Sequence, residues 1–201
     1  MDKIMEITRR GGVATLRMQS GDTLRVPSAV FLERRVSVGQ EIDPAAYREF
    51  ARQRGYPHAL EAAVKYLTLR DRSEGEVRSR LRRACFDETV IEKVMDSLAA
   101  HHLVSDSRFA DQWASARSRK YGKSRIAQEL RMKGVSDADA RRALDEIPEE
   151  EEYRNALRQA RSLARKFRGD PQKIQQALIR RGYHWRIARR ASEEAAQEQE
   201  G

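Results

Sequence analysis

The chain has 201 residues, 39% hydrophobic and 35% charged, and its 40 Lys and Arg against 31 Asp and Glu give a net charge of +9. One cysteine excludes an intrachain disulfide framework, and neither a signal peptide nor a stretch of roughly 18 apolar residues for a membrane helix is evident. We therefore expect a cytoplasmic, folded protein whose excess positive charge binds a polyanion, although an ordinary solvated helix surface would also account for the charge.

The first forty residues have the pattern of a small β unit. Residues 13–18 alternate apolar and polar side chains, as do the residues around Arg25, and Gly11-Gly12 marks a turn. Period-two alternation between glycine turns predicts a β-hairpin or β-meander, which is too small to be stable without a helix against it. Helices are predicted at 29–35 and 44–53, the second with Asp43 as its N-cap.

From about residue 59 onward the sequence predicts helices, arranged as an internal repeat. Three segments place a β-branched residue four positions before a leucine and a small residue four positions after that leucine. The members are Val77, Leu81 and Cys85; Ile126, Leu130 and Gly134; and Ile174, Leu178 and Gly182. A period near 48 with three helical stretches per unit predicts tandem three-helix repeats, with the last residue of each trio in the left-handed cap position.

The repeat divides the chain into five predicted segments. They are an N-terminal β-containing extension with helices at 1–57, three-helix repeats at 58–104, 105–147 and 148–192, and an acidic flexible tail at 193–201. The tail carries four glutamates and no base, so the rest of the chain holds +13. The fold class predicted is therefore mainly α, an elongated and curved repeat array with a small β extension.

No residue pattern indicates catalysis. Gly122-Lys123-Ser124 matches the end of a phosphate-binding P-loop, but the earlier glycine of that motif is replaced by Arg117 and no strand precedes it. We instead expect Gly122 to end one helix and Ser124 to lie in the first turn of the next. The four histidines have no metal-ligand spacing, and no nucleophile has an identifiable partner base. We predict a protein that is not an enzyme and takes no metal or cofactor.

Basic residues recur at the same place in each repeat, between the first and second helices and along the second. The predicted binding residues are Arg70, Arg72, Arg117, Arg119, Lys120, Lys123, Arg125, Lys133, Arg168, Lys173, Arg180 and Arg181. In a stacked array this recurrence predicts a basic stripe, whose arginines pair well with phosphate or carboxylate. Trp113 and Trp185 are predicted to pack in the core, with stacking on a base as the alternative for Trp185.

Several stretches resemble the RecX family of recombinase regulators. They are Tyr66-Leu67-Thr68-Leu69-Arg70-Asp71-Arg72-Ser73 with Val77 and Leu81; Asp106-Ser107-Arg108-Phe109-Ala110 with Arg117 and Gly122; Gln128-Glu129-Leu130-Arg131-Met132-Lys133-Gly134-Val135; and Leu178-Ile179-Arg180-Arg181-Gly182-Tyr183. The likeness covers roughly residues 59–191. Cys85 and Tyr183 stand where the family commonly has glycine and phenylalanine.

The resemblance implies three tandem three-helix repeats and a regulator that binds RecA, above all the RecA–DNA filament. Members of the family lodge in the filament groove, limit filament extension, and inhibit ATP hydrolysis, strand exchange and coprotease activity. That role implies a place in homologous recombination, DNA repair and the SOS response. We expect a monomer with weak direct binding to DNA. The main alternative is a sequence-nonspecific DNA-binding protein that competes for DNA, and a weaker one is a scaffold for an acidic protein.

Overall fold

The computed structural model describes residues 1–200, with only the backbone of Glu200. These residues form two compact units, Met1–Val104 and a second that begins at Ser105. The elements in chain order are β1 (Asp2–Arg10), β2 (Val13–Met18), β3 (Thr23–Pro27), α1 (Ser28–Glu33), β4 (Glu41–Ile42), α2 (Pro44–Leu67), α3 (Glu74–Arg83), α4 (Glu88–Ala100), α5 (Asp106–Ser118), α6 (Lys123–Met132), α7 (Asp137–Asp145), α8 (Glu149–Phe167), α9 (Pro171–Arg180) and α10 (Trp185–Glu200). The prediction of a mainly helical chain with an N-terminal β unit is confirmed.

The first unit begins with a four-stranded antiparallel sheet in the order β3-β2-β1-β4. One face of the sheet is buried, because alternate residues such as Ile4, Leu16 and Leu24 point into a common core. Tyr47 of α2 closes this core and is 1% exposed. The sheet therefore leans on a helix, as its small size required.

The helix α2 is longer than the sequence pattern predicted. It begins as expected, with the Asp43 carboxylate accepting a hydrogen bond from the Ala45 amide at 2.8 Å and Pro44 at the first helical turn. It then continues through Pro57 as one helix of 24 residues. Its first half packs on the sheet, and its second half, with Ala59 and Ala63 fully buried, packs against α3 and α4.

Each group of three helices has its own apolar core, and the repeat supplies the central residues. All six β-branched and leucine positions of the repeat are completely buried. They are Val77, Leu81, Ile126, Leu130, Ile174 and Leu178. The cap Ser73 accepts a hydrogen bond from the Glu76 amide in the predicted capping box.

The second residue after each second helix adopts the left-handed conformation that the repeat predicted. The φ angles of Cys85, Gly134 and Gly182 are 62°, 83° and 87°. Cys85 thus adopts the backbone conformation of a glycine although it carries a side chain. Tyr183 is 3% exposed, which fits a position where phenylalanine is common, and its hydroxyl has no hydrogen-bond partner among the described residues.

The prediction of a flexible acidic tail after residue 192 is wrong for the described residues. The helix α10 runs to Glu200, and Ala195 and Ala196 are buried in the core of the third helix group. Tyr153 of α8 donates a hydrogen bond to Glu194, and Glu198 forms an ion pair with Arg161. The glutamates looked like a solvated tail because the two buried alanines between them are a weak apolar signal. Gly201 lies outside the described residues.

Within residues 1–200, no helix is both long enough and apolar enough to cross a membrane.

Candidate functional site: the basic helix junctions

The two predicted basic residues of the first unit are engaged within that unit. Arg70 forms an ion pair with Glu76, with 2.9 Å between Nη2 and Oε1. The guanidinium of Arg72 lies 4.0 Å from the centre of the Tyr66 ring, a cation–π contact. These contacts fix the turn between α2 and α3, so neither side chain is free in the way a solvated arginine would be.

Arg117 belongs to a half-buried ion cluster in the second unit. Its Nε and Nη2 donate to both carboxylate oxygens of Glu129 at 2.8 and 2.7 Å, and Trp113 Nε1 and Arg125 Nε donate to the same carboxylate at 3.1 and 3.4 Å. Burial alone would raise the pKa of Glu129, but these donors hold that pKa below its ordinary value. The carboxylate is therefore ionised at neutral pH and fixes Arg117 between α5 and α6.

The ring of Trp113 is the apolar part of the same cluster. It stacks on Phe109, with 5.7 Å between ring centres, and packs against the core of the second helix group. The Nζ of Lys133 lies 4.1 Å from the Trp113 ring centre. The prediction that Trp113 packs in the core is confirmed.

The α6 and α9 backbones meet at two glycines. The Gly122 amide donates to the Arg181 carbonyl at 3.0 Å, and the Ser124 amide donates to the Gly182 carbonyl at 3.2 Å. A Cβ on Gly122 would lie 2.3 Å from the Gly182 backbone, closer than any real side chain approaches. The C-terminus of α9 thereby satisfies free amides at the N-terminus of α6.

The Gly122-Lys123-Ser124 segment has a structural role. Lys123 Nζ donates to the Ile147 carbonyl at 2.7 Å, and its amide donates to Glu152 at 3.2 Å. Gly122 is the N-cap of α6, whereas α5 ends at Ser118. The prediction that Gly122 ends a helix is therefore wrong, because three residues separate it from the end of α5. Ser124 does lie in the first turn of α6, as predicted.

Two predicted basic residues near α9 are engaged by neighbours. Lys173 pairs with Asp170 at 2.9 Å, and this hydrogen bond lowers the pKa of Asp170, the N-cap of α9. Arg181 Nη1 donates to Gln159 Oε1 on α8. Both contacts lie at the helix ends that they stabilise.

The remaining predicted residues expose guanidinium or ammonium groups that form no ion pair among the described residues. They are Arg119, Lys120, Arg168 and Arg180. Lys120 and Arg180 each stand two residues before the touching glycines Gly122 and Gly182, and Arg119 precedes Lys120. We call Arg119, Lys120 and Arg180 the junction cluster. Its three members stand next to the backbone contact of Gly122 with Arg181 and form no ion pair among the described residues.

Sequence reasoning missed two arginines of α8 that lie close to this cluster. Arg154 and Arg158 line a cleft together with Arg119, and neither has an ion-pair partner among the side chains that the structure describes. They fall in the first helix of the third repeat rather than between its first and second helices, so the repeat comparison did not select them. Their spacing of four residues on one helix face was the available signal.

Trp185 does not pack in the core as predicted. It is the first residue of α10 and is 51% exposed, beside His184 and Arg186. Tyr183, two residues earlier, is the aromatic residue that is buried at this turn, and Trp185 is left on the surface.

The comparisons with known proteins match the three-helix groups. Residues 59–98 match "RecX, first three-helix domain" and residues 105–144 match "RecX, second three-helix domain". A regulatory protein RecX from Clostridioides difficile (strain 630) is 30% identical over 159 residues, which cover 76% of this chain and 74% of the relative. A regulatory protein RecX from Amycolatopsis mediterranei (strain U-32) is 37% identical over 129 residues, 63% of this chain and 71% of the relative.

The chain belongs to the RecX family. A crystal structure of a regulatory protein RecX matches with a TM-score of 0.63 and 24% identity over 93% of this chain and 97% of the other, a likeness that concerns the fold alone. Both of these relatives are named as regulatory proteins, so a regulatory role is the function that this membership supports.

Proposed function

We propose that this RecX-family chain binds the RecA recombinase and the groove of the RecA–DNA filament, where it limits filament extension. Inhibition of ATP hydrolysis, strand exchange and coprotease activity follows, because a protein seated in the groove blocks the movement and addition of recombinase protomers. The protein acts by binding, without catalysis and without a cofactor.

The observation that carries this proposal is the junction cluster in a chain of the RecX family. Arg119, Lys120 and Arg180 are exposed and form no ion pair among residues 1–199. They are held on a rigid turn, because Gly122 and Gly182 join α6 and α9 by backbone hydrogen bonds. A rigid cationic surface binds an acidic protein surface or DNA phosphate with little loss of backbone entropy.

Two of the other predicted basic residues support the surface without being free to bind. Arg117 and Lys123 already hold Glu129 and the Ile147 carbonyl. Reversing their charge would place a carboxylate against these acceptors and damage the fold. A test of binding must therefore change Lys120 and Arg180 and leave Arg117 and Lys123 intact.

We predict that the double variant Lys120→Glu, Arg180→Glu loses inhibition of recombinase ATP hydrolysis at least tenfold in effective concentration while its circular dichroism stays unchanged. The loss follows because charge reversal at a contact replaces attraction by repulsion. Arg108→Glu, Arg141→Glu is the matched control. It makes the same change of charge at two exposed residues of the second unit whose side chains form no ion pair among the described residues. Equal loss in both pairs, or inhibition retained by the first, would contradict the assignment.

The second candidate function is sequence-nonspecific DNA binding that acts by competition for DNA. The net charge of +9 favours it, since polyanion binding by counterion release needs no filament. Excess DNA distinguishes the two functions. It would remove the inhibition caused by a protein that competes for DNA, and it would leave the inhibition caused by a filament regulator unchanged.

A further inference from the structure

The second unit contains a cleft of about 360 Å³ between the end of α5 and one face of α8. Its lining residues are Arg119, Glu151, Arg154, Asn155 and Arg158. Four of these residues belong to α8, namely Glu151 and the residues three, four and seven positions after it, so they share one side of the helix. Gln159 Nε2 donates to the Arg119 carbonyl at 3.1 Å, which holds the end of α5 against α8.

The charges in this cleft are unbalanced. Three guanidinium groups face one carboxylate, that of Glu151. None of Arg119, Arg154 and Arg158 forms an ion pair among the described side chains, whereas Arg117 of α5 and Arg161 of α8 do. Like charges four residues apart on a helix repel each other, so Arg154 and Arg158 stand together at a cost that a bound anion would remove.

Asn155 adds a buried hydrogen-bond donor to the same wall. The residue is 4% exposed, and its Nδ2 has no partner among the described residues. Buried amide groups are nearly always hydrogen-bonded, because an unpaired one loses its contacts with water and gains nothing. An unpaired N–H donor next to unpaired guanidinium groups favours the binding of a negatively charged hydrogen-bond acceptor.

We propose that this cleft binds a phosphate group of a nucleic-acid strand. The forked donors of Arg154 and Arg158 match phosphate oxygens, Arg119 contacts the same or the next phosphate, and Asn155 Nδ2 donates to a further oxygen. Each phosphate of a strand offers two non-bridging oxygens, so neighbouring phosphates together supply acceptors for all of these donors, whereas a single side-chain carboxylate offers two in total. All residues of this site lie in the second unit, and the proposal does not depend on whether the chain binds a recombinase.

The first test is binding of a fluorescent single-stranded oligonucleotide, without recombinase, at several salt concentrations. Arg154→Ala, Arg158→Ala should weaken binding on the order of tenfold and reduce the slope of log affinity against log salt by about 1.4, at roughly 0.7 for each phosphate contact on a single strand. Arg141→Ala, Arg165→Ala is the control with the same loss of charge at exposed residues outside the cleft, and it should keep the slope. Equal slopes for both pairs and the parent chain would overturn the proposal.

The second test follows Asn155 directly and needs no variant of the arginines. The side-chain amide signals of Asn155, assigned by comparison with Asn155→Ser, should shift in an NMR titration with a short oligothymidylate. ATP at the same phosphate concentration should shift them less. Signals that move only with ATP, or only with an acidic peptide, would show that the cleft takes another ligand, and signals that move with none would overturn the site.

Discussion

The backbones of α6 and α9 meet at Gly122 and Gly182 with no room for a side chain between them. A Cβ on Gly182 would lie 2.4 Å from the Arg125 amide nitrogen, and the residue also has a φ of +87°. Any substitution at this position therefore destabilises the fold in two separate ways, through the left-handed backbone and through the steric overlap. This contact sets the rigid turn on which the junction cluster stands.

We predict that Gly182→Ala lowers the free energy of unfolding by about 2–5 kcal/mol, the sum of about 1–2 kcal/mol for the left-handed backbone and about 1–3 kcal/mol for overpacking. Gly169→Ala is the matched control, because Gly169 has a φ of +77° and nothing within 4 Å of its added Cβ. It should lose only about 1–2 kcal/mol. Urea unfolding of both variants measures the difference, and equal losses would show that the close contact carries no energy.

The sequence predicted the type of residue at each junction but not which basic side chains remain free. The apolar positions of the repeat follow from spacing alone, and all are buried. Arg117 and Arg119 stand two residues apart and look alike in sequence. Only the fold turns one toward the buried carboxylate of Glu129 and leaves the other exposed. Ion pairs between distant helices leave no local pattern, so the predicted set mixed structural and free cations.

At the scale of elements, long helices with clear caps were predictable and those with weak apolar faces were not. The capping box at Ser73 and the cap at Asp43 fixed helix starts correctly. Strand β1 was missed, because Ile4 is its single fully buried side chain and charged residues hide the alternation. The end of α10 was missed for a similar reason, since alanine contributes little to a hydrophobic pattern.

We predict that a chain ending at Ser192 is less stable than the full chain by about 3–5 kcal/mol. It loses two buried alanine side chains at roughly 0.8 kcal/mol per methyl group and the charged hydrogen bond from Tyr153 to Glu194, worth about 1.5–3 kcal/mol. A chain ending at Glu198 keeps all of these contacts and should unfold as the full chain does. If both truncations matched the full chain in urea unfolding, the end of α10 would not be part of the folded unit.

At the scale of the whole molecule, charge and family membership point to the same kind of function. The net charge of +9 favours a polyanionic partner, and the relatives in the RecX family are regulatory proteins. The junction cluster and the α8 cleft lie in the same unit, both with Arg119. A surface that meets an acidic protein and a cleft that holds phosphate would together suit a partner made of protein and DNA, which is the composition of a recombinase filament.

The most direct test of this account is ATP hydrolysis by purified RecA preassembled on single-stranded DNA, titrated with the chain at fixed salt and repeated with excess DNA. We predict inhibition at fewer molecules of the chain than of recombinase, because a protein that stops filament extension acts on many protomers, and we predict that inhibition survives the added DNA. Absence of inhibition, or its loss when DNA is added, would contradict filament regulation and leave a protein that binds DNA alone.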